Sequence, residues 1–378
     1  MKFFHLSDLH LGMRVSEFSM LDDQRYILSE TVRLAAENKP DAVLIAGDVY
    51  DKSVPSVEAV QLLDGFLVQL NGLGIAVYLI SGNHDSVERV AFAASFLHKS
   101  DIHIARGFSG IIRPLAVRDE FGPINIWLLP YLKPSTVRAF FEEREITNCS
   151  DAFSVVLETM EIDLAERNIL LAHQYVTGAV RSESEESFLG GLENIDADLF
   201  DAFDYVALGH IHRPQNIGRE TLRYCGTPLK YSLSEVNDVK SVTMVDMGRK
   251  GDVRISEIPL QPLRDMRELR GSYMEVSSLK NYKDANTDDY VYVFLTDEEE
   301  DPDAVMKLRN IYPGIMRLSY DNKRSRAESV IERAPGPDKK LPLELFGELY
   351  ELQNGQPMSA AQEEYARRLM TKILDKNV

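Results

Sequence analysis

Five short apolar runs in this chain each end at a polar loop carrying aspartate, asparagine or histidine, and that shared address constrains the fold more than any other feature. The loops are Ser7-Asp8-Leu9-His10, Gly47-Asp48-Val49-Tyr50-Asp51, Gly82-Asn83-His84-Asp85, Ala172-His173 and Gly209-His210-Ile211-His212. The runs at 3–6, 42–46, 75–80 and 169–172 are brief and aliphatic or β-branched, which predicts buried strands. Between them, residues 22–37, 57–70 and 88–98 carry apolar side chains at spacings of three and four, which predicts helices, with Asp22 and Asp23 placing negative charge at a helix start. Strand, loop and helix in rotation make an α/β core whose reactive loops follow the carboxyl ends of its strands. Residues distant in sequence then meet on one edge of a sheet.

From about residue 124 the chain becomes richer in strands, at 124–129, 205–208, 222–225, 241–245 and 253–258. A second sheet packed on the first would bury them, so the expected class is α/β with two packed β-sheets flanked by helices. At 378 residues the chain exceeds what one core ordinarily serves. The expected division is a catalytic domain at 1–260, a small α+β unit at 261–325, and a linker with C-terminal helices at 326–378. Within the second unit, strands are expected around 273–276 and 290–295, a helix at 302–311 and a last strand at 315–318. Beyond the link Ala334-Pro335-Gly336-Pro337, helices are expected at 343–353 and 360–374, striped by Leu345, Leu349 and Leu352 and by Tyr365, Leu369 and Ile373.

The loop residues describe a metal site. Carboxylate and amide oxygens with imidazole nitrogens, and no thiolate, suit Mn²⁺, Fe²⁺, Zn²⁺ or Co²⁺. Asp48 is the natural bridge, since one carboxylate can hold two cations about 3.5 to 4 Å apart, the spacing that serves in-line phosphoryl displacement. A lone histidine at a strand end is ordinarily a hydrogen-bonded structural residue, but five of the eight histidines fall in these loops. Asp8, His10, Asp48, Asn83, His173, His210 and His212 are the expected ligands. His84 is read as the acid that protonates the leaving oxygen, oriented by Asp51, with Asp85 able to play the same supporting part. Gly47, Gly82 and Gly209 permit tight turns that aim their neighbours. His5, inside the first strand, is expected to be a packed core histidine.

A net charge of −18 argues against a protein that merely wraps nucleic acid, although two divalent cations would offset part of it. Much of the acid is expected to lie away from the motif loops, as in residues 183–186 and 297–301. No apolar run approaches the roughly 18 to 20 residues that span a bilayer, and the start has no signal-peptide pattern, so no membrane association is expected and a cytoplasmic location is the default. Cys149 and Cys225 lie far apart and read as reduced packing residues.

This ordered set resembles the calcineurin-like metallophosphoesterases, and within them the SbcD-type nuclease subunits of bacterial exonucleases. The narrower likeness rests on the HLSDLHLG start, DDQRYIL, SGNHDS, AHQYV and YCGTPLKYSLSEVNDVKSV from Tyr224 to Val242. The resemblance implies two Mn²⁺ ions, one held by Asp8, His10, Asp48 and His212 and the other by Asp48, Asn83, His173 and His210, with His84 as a non-ligand catalytic residue. It also implies exonuclease and endonuclease action on DNA ends and hairpins in repair and recombination, a homodimer formed through helices near 57–70 and 88–98, a DNA-contacting capping domain, and tail helices that hold an SbcC-like coiled-coil ATPase. Arg14, Lys52, Arg89, Arg181, Arg213 and Lys230, each near a motif loop, are candidate DNA contacts. The alternative is a two-metal phosphodiesterase or phosphatase acting on nucleotides or phosphoproteins. Ser86 after GNHD disfavours the phosphoprotein branch, where GNHE is the pattern. A scaffold with an idle site is disfavoured by the complete ligand set.

Overall fold

The computed structural model describes residues 1–185, 193–322, 343, 346–347, 349–351 and 356–376. The link at 334–337, Glu186, and Leu345 and Leu352 of the first tail helix lie outside the described residues. The second tail helix forms over Ala360–Lys376, with Tyr365 and Leu369 exposed.

Two six-stranded sheets pack face to face. The first runs β14-β13-β1-β4-β5-β6, from β1 (Lys2–Leu6), β4 (Ala42–Ala46), β5 (Ala76–Ile80), β6 (Ile102–Ile104), β13 (Ser241–Met247) and β14 (Val253–Pro259). The second runs β11-β12-β10-β9-β8-β7, from β7 (Leu115–Asp119), β8 (Gly122–Leu129), β9 (Arg167–His173), β10 (Tyr205–Gly209), β11 (Gln215–Ile217) and β12 (Arg219–Tyr224). Their central strands are parallel and buried on both faces, which is why they read as unbroken apolar runs. Phe3, Leu44, Tyr78, Ile126, Leu171, Tyr205 and Val245 fill the space between the sheets. Outside the first sheet lie the helices Leu21–Asn38 and Val57–Gly72, and outside the second lies Cys149–Glu158. Ser56 and Asn148 cap the last two through their side chains, satisfying backbone N–H groups that each helix start leaves unpaired. Both cysteines are buried and free. No described helix is long and apolar enough to cross a membrane.

Several expectations change. β13 and β14, expected in the second sheet, form a hairpin that pairs antiparallel with β1 in the first, while β9 belongs to the second. Strand alternation explains the hairpin's place, because Val242 faces the helix layer and Val245 and Met247 face the opposite sheet. The helix expected at 88–98 is broken into Val87–Val90 and Ala94–Leu97 by Ala93, which sits at φ +60°. Phe92 and Phe96 there are 80% and 75% exposed, so no core stripe holds the segment straight.

The unit after Leu260 is a three-stranded parallel sheet, β15 (Met266–Gly271), β16 (Tyr290–Leu295) and β17 (Ile315–Tyr320), packed on the helix Ala304–Arg309. Residues 273–276, expected as a strand, are the helix Tyr273–Val276. Ser272 and Glu275 close a reciprocal capping box over its first turn, with Glu275 accepting from the Ser272 N–H at 2.8 Å. The unit docks on the chain between the Ser7–His10 loop and the first helix. There the hairpin of β2 (Arg14–Val15) and β3 (Phe18–Ser19) brings Glu17 to Arg309 and the Phe18 ring 5.5 Å from Tyr290. Asp23, fully buried, accepts from Arg264 Nε and Nη2, at 3.0 and 2.6 Å, and from the Tyr290 hydroxyl at 2.8 Å.

Candidate metal centre

All five loops leave the carboxyl ends of β1, β4, β5, β9 and β10, and the topology brings them to one edge of the sandwich. The first two run together: Asp8 N–H donates to Gly47 O at 3.0 Å and His10 N–H to Asp48 O at 3.0 Å. Asp8, His10, Asp48 and His210 all adopt positive φ, at 53°, 44°, 46° and 100°. Non-glycine residues rarely do so, and such strain gathers where a side chain must be aimed. The flanking glycines have a steric reason to be glycines. A Cβ on Gly47 would overlap His173, on Gly82 Asp48, and on Gly209 the Ala46 carbonyl.

Three groups of donor atoms converge: Asp8, His10 and His212; His10, Asp48 and His84; and Asp48, His173 and His210. Asp48 Oδ2 lies 3.8 Å from His10 Nε2 and 3.2 Å from His173 Nε2, so its carboxylate stands between the two ends of the cluster. Asn83 Oδ1 lies 3.1 Å from His173 Nε2 and 3.0 Å from His210 Nδ1.

The outer nitrogens fix the tautomers that the network implies. His173 Nδ1–H donates to Ala46 O at 2.8 Å, which leaves the Nε2 lone pair facing two oxygens. His212 Nδ1–H donates to Ser184 Oγ at 2.7 Å, and that hydroxyl donates to Glu235 at 2.6 Å. The His212 Nε2 lone pair is then 3.1 Å from His10 Nε2. Ring nitrogens and oxygens drawn this close need a proton or a metal cation between them. The electrostatics agree. Burial opposes charge on His173, yet Asp48 and Asp8 outweigh it and raise its pKa to about 9. Burial pushes Asp8 up to about 6, while Asp48, despite equal burial, is held far below the carboxylate range by His173 and His10. Positive charge belongs at this place, and mixed nitrogen and oxygen donors without thiolate fit divalent ions of the Mn²⁺, Fe²⁺, Co²⁺ and Zn²⁺ class.

Residues 1–214 match the family model described as calcineurin-like phosphoesterase. The chain belongs to the calcineurin-like phosphoesterases. It is a metal-dependent phosphodiesterase of the SbcD branch. Over 383 aligned residues, covering all of both chains, it is 32% identical to the SbcD component of the nuclease SbcCD of Staphylococcus epidermidis. Residues 262–354 match a model described as type 5 capsule protein repressor C-terminal domain. A solved dimetal phosphatase from Danio rerio aligns at 12% identity over 70% of this chain and 98% of its own, with a TM-score of 0.39.

In this phosphoesterase His84 stands at the rim, half-buried, its ring edge-on to His10 at 4.9 Å. Its backbone N–H donates to Asp48 Oδ1 at 2.9 Å, and its Nδ1 meets the backbone carbonyl of Asp51 at 3.0 Å. The contact expected between Asp51 and His84 is made by the Asp51 main chain. Asp85 locks loops together, accepting from the N–H groups of Val49, Tyr50 and Gly82. His5 is buried between Tyr205 OH, at 2.9 Å, and Leu208 O.

Other supporting groups lie inside the stretches DDQRYIL and YCGTPLKYSLSEVNDVKSV, which carry the family resemblance without assigning these residues a part at the site. Gln24 accepts from Gly12 N–H and donates to His10 O and Tyr231 OH, clamping the first loop from the adjoining helix. Lys240 joins Glu235 Oε2 at 2.6 Å to His212 O at 2.9 Å. The acidic stretch at 183–186, expected away from the site, places Ser184 and Glu185 on His212. Of the basic candidates, Arg181, Arg213 and Lys230 are spent on Glu193, Asp238 and Asp265, and Arg14 and Arg89 reach backbone carbonyls. Lys52 is exposed beside Asp51, His84 and Asn83 around an open cavity of about 430 Å³.

Proposed function

We propose that this phosphodiesterase is a DNA nuclease subunit that cleaves DNA ends and hairpins in partnership with a coiled-coil ATPase in the cytoplasm, in repair and recombination. The carrying observation is Asp48, whose carboxylate stands between His10 and His173 at the centre of the donor groups. Asp8, His10, Asp48 and His212 would hold one divalent ion and Asp48, Asn83, His173 and His210 a second, with Mn²⁺ the metal and Fe²⁺, Co²⁺ or Zn²⁺ able to replace it. Ions so held supply the Lewis acidity that activates water and offsets phosphate charge.

The chain's own residues do the rest. Ala46 O and Ser184 keep His173 and His212 in the tautomers that present Nε2. His84, with Nδ1–H on the Asp51 carbonyl, presents Nε2 outward as the acid that gives a proton to the leaving oxygen. The unit at 261–325 caps the DNA path, residues 326–378 hold the ATPase, and exposed Val57, Val60, Phe92 and Phe96 form the contact of a homodimer. The 32% identity to a nuclease component over the whole chain favours DNA over a nucleotide or phosphoprotein substrate. Incubation of the purified chain with Mn²⁺ and a blunt linear duplex should release nucleotides or shortened strands. Intact duplex beside hydrolysed p-nitrophenyl diesters would remove DNA from this reading.

A further inference from the structure

A second cavity, of about 660 Å³, shares Asn83 with the one lined by His84 and Lys52 but is lined by neither of those two residues. Its lining includes Asn83, Arg106, Phe108, Tyr131 and Lys133. The volume lies in the range of small-molecule sites. One wall is aromatic and turned toward the metal ligands, since the Tyr131 ring stands 6.3 Å from that of His173. Tyr131 is anchored by its N–H on Ser81 O at 3.0 Å, just before the Gly82-Asn83 loop.

Lys133 sets this cavity apart. It is half-buried, and among the described residues its ammonium group has no carboxylate partner and no hydrogen bond, in a chain with 60 acidic and 42 basic residues. Lys230, Lys240, Lys250 and Lys307 all reach carboxylates. Burial lowers the Lys133 pKa, and the two carboxylates that share its cavity are engaged elsewhere, Asp85 by the N–H groups of Val49, Tyr50 and Gly82 and Glu88 by the Ser86 hydroxyl. A partly desolvated cation kept without an anion beside a phosphodiesterase centre is suited to an anion brought by the substrate.

We propose that this cavity is a nucleotide subsite: it takes the nucleoside on the side of the scissile phosphate away from His84, with Tyr131 and Phe108 along the nucleoside and Lys133 on the next phosphate of the strand. This deepens the nuclease reading and rests on it. The two cavities flanking Asn83 then hold successive units of one strand, the leaving oxygen toward His84 and the retained nucleotide toward Lys133.

The test uses the full chain with Mn²⁺ and methyl p-nitrophenyl phosphate, a diester without a nucleoside, as reporter. Thymidine 3′,5′-bisphosphate, thymidine 5′-monophosphate and inorganic phosphate serve as competing ligands. The bisphosphate should inhibit most tightly, and Lys133→Met should raise its inhibition constant about tenfold. The same variant should leave kcat/KM for the methyl ester and the inhibition constant of inorganic phosphate within about twofold, and Lys133→Arg should restore most of the bisphosphate's advantage. An unchanged bisphosphate constant in Lys133→Met overturns the subsite. So does an equal loss for inorganic phosphate, which would put Lys133 on the reacting phosphate. A chain that binds the bisphosphate through Lys133 yet leaves duplex intact keeps the subsite and removes DNA as substrate instead.

Discussion

At the scale of single residues, the proposed function divides the site into groups that hold charge and one that moves a proton. His84 is placed for the second task, since among the described residues only Asp51 O engages its ring nitrogens and its backbone is tied to Asp48. His84→Gln should therefore retain two metal equivalents by titration while cleavage of DNA falls about 10²- to 10⁴-fold, the usual contribution of a positioned acid. p-Nitrophenolate leaves without needing a proton, so the methyl p-nitrophenyl ester should lose much less. Equal losses on both substrates would assign His84 to phosphate binding instead. His5 shows the opposite design. Burial, helped by Arg223, lowers its pKa to about 3, so the folded chain refuses a proton that the unfolded chain accepts below about pH 6.5. Its contribution to stability is complete above pH 6.5 and is lost as pH falls toward 3. In metal-free protein this one group should cost about 1.4 kcal/mol per pH unit between pH 6 and 4. Urea midpoints of the wild type and His5→Gln across that range should show the variant losing one proton's worth of slope.

At the scale of elements, the ligand loops were legible because each follows a strand buried on both faces, and such strands leave unmistakable apolar runs. What holds the loops was legible only as the motif stretches DDQRYIL and YCGTPLKYSLSEVNDVKSV, because the hydrogen bonds that give Gln24, Tyr231, Glu235 and Lys240 their parts cross between elements distant in sequence. Asp23 reads as a helix-start charge, yet it is buried under Arg264 and Tyr290. Residues 273–276 misled through Tyr, Met and Val, residues that also suit strands, while the decisive signal was the Ser272 and Glu275 pair around them. β15 was missed because Arg267, Glu268 and Arg270 keep it polar along an edge of its small sheet. The first turn of the helix Leu21–Asn38 carries a consequence: Asp23 grips Arg264 and Tyr290 of the unit after Leu260 while Gln24, its neighbour, grips the His10 loop. Gln24→Ala should weaken Mn²⁺ binding about tenfold in calorimetric titration and destabilise the metal-free chain by about 1 to 3 kcal/mol, since it strands the Gly12 N–H and the carbonyl of buried His10. Asp23→Ala strands Arg264 and Tyr290 and should destabilise by about 3 kcal/mol, the cost of breaking a buried pair. Equal metal affinity in Gln24→Ala and wild type would show that the loop is held by its own strand contacts.

At the scale of the whole molecule, the acidic surface and the exposed apolar residues have to be explained together. Val57, Val60 and Val68 are 68%, 44% and 62% exposed along one face of the helix Val57–Gly72, and Phe92 and Phe96 stand out from the broken segment beside it. The two pieces are tied together, Asn71 to Ser100 O at 2.8 Å and Arg89 to Ser53 O, so their apolar residues belong to one side of the molecule. Large exposed aromatics grouped in this way on a chain of net charge −18 mark an interaction surface, because charge elsewhere keeps the chain soluble and cannot cover the patch. A second copy of the chain is the occupant expected under the homodimer reading. Sedimentation velocity of the isolated chain should then give twice the chain mass. Phe92→Asp with Phe96→Asp should return it to the mass of one chain, while hydrolysis of the methyl p-nitrophenyl ester stays within about twofold, since neither residue lines the cavities around Asn83 and His84. DNA cleavage should fall further than ester hydrolysis, because a duplex end spans more surface than one copy offers. A wild-type chain that sediments as a single copy, or a double variant that still pairs, would move the homodimer contact away from this face.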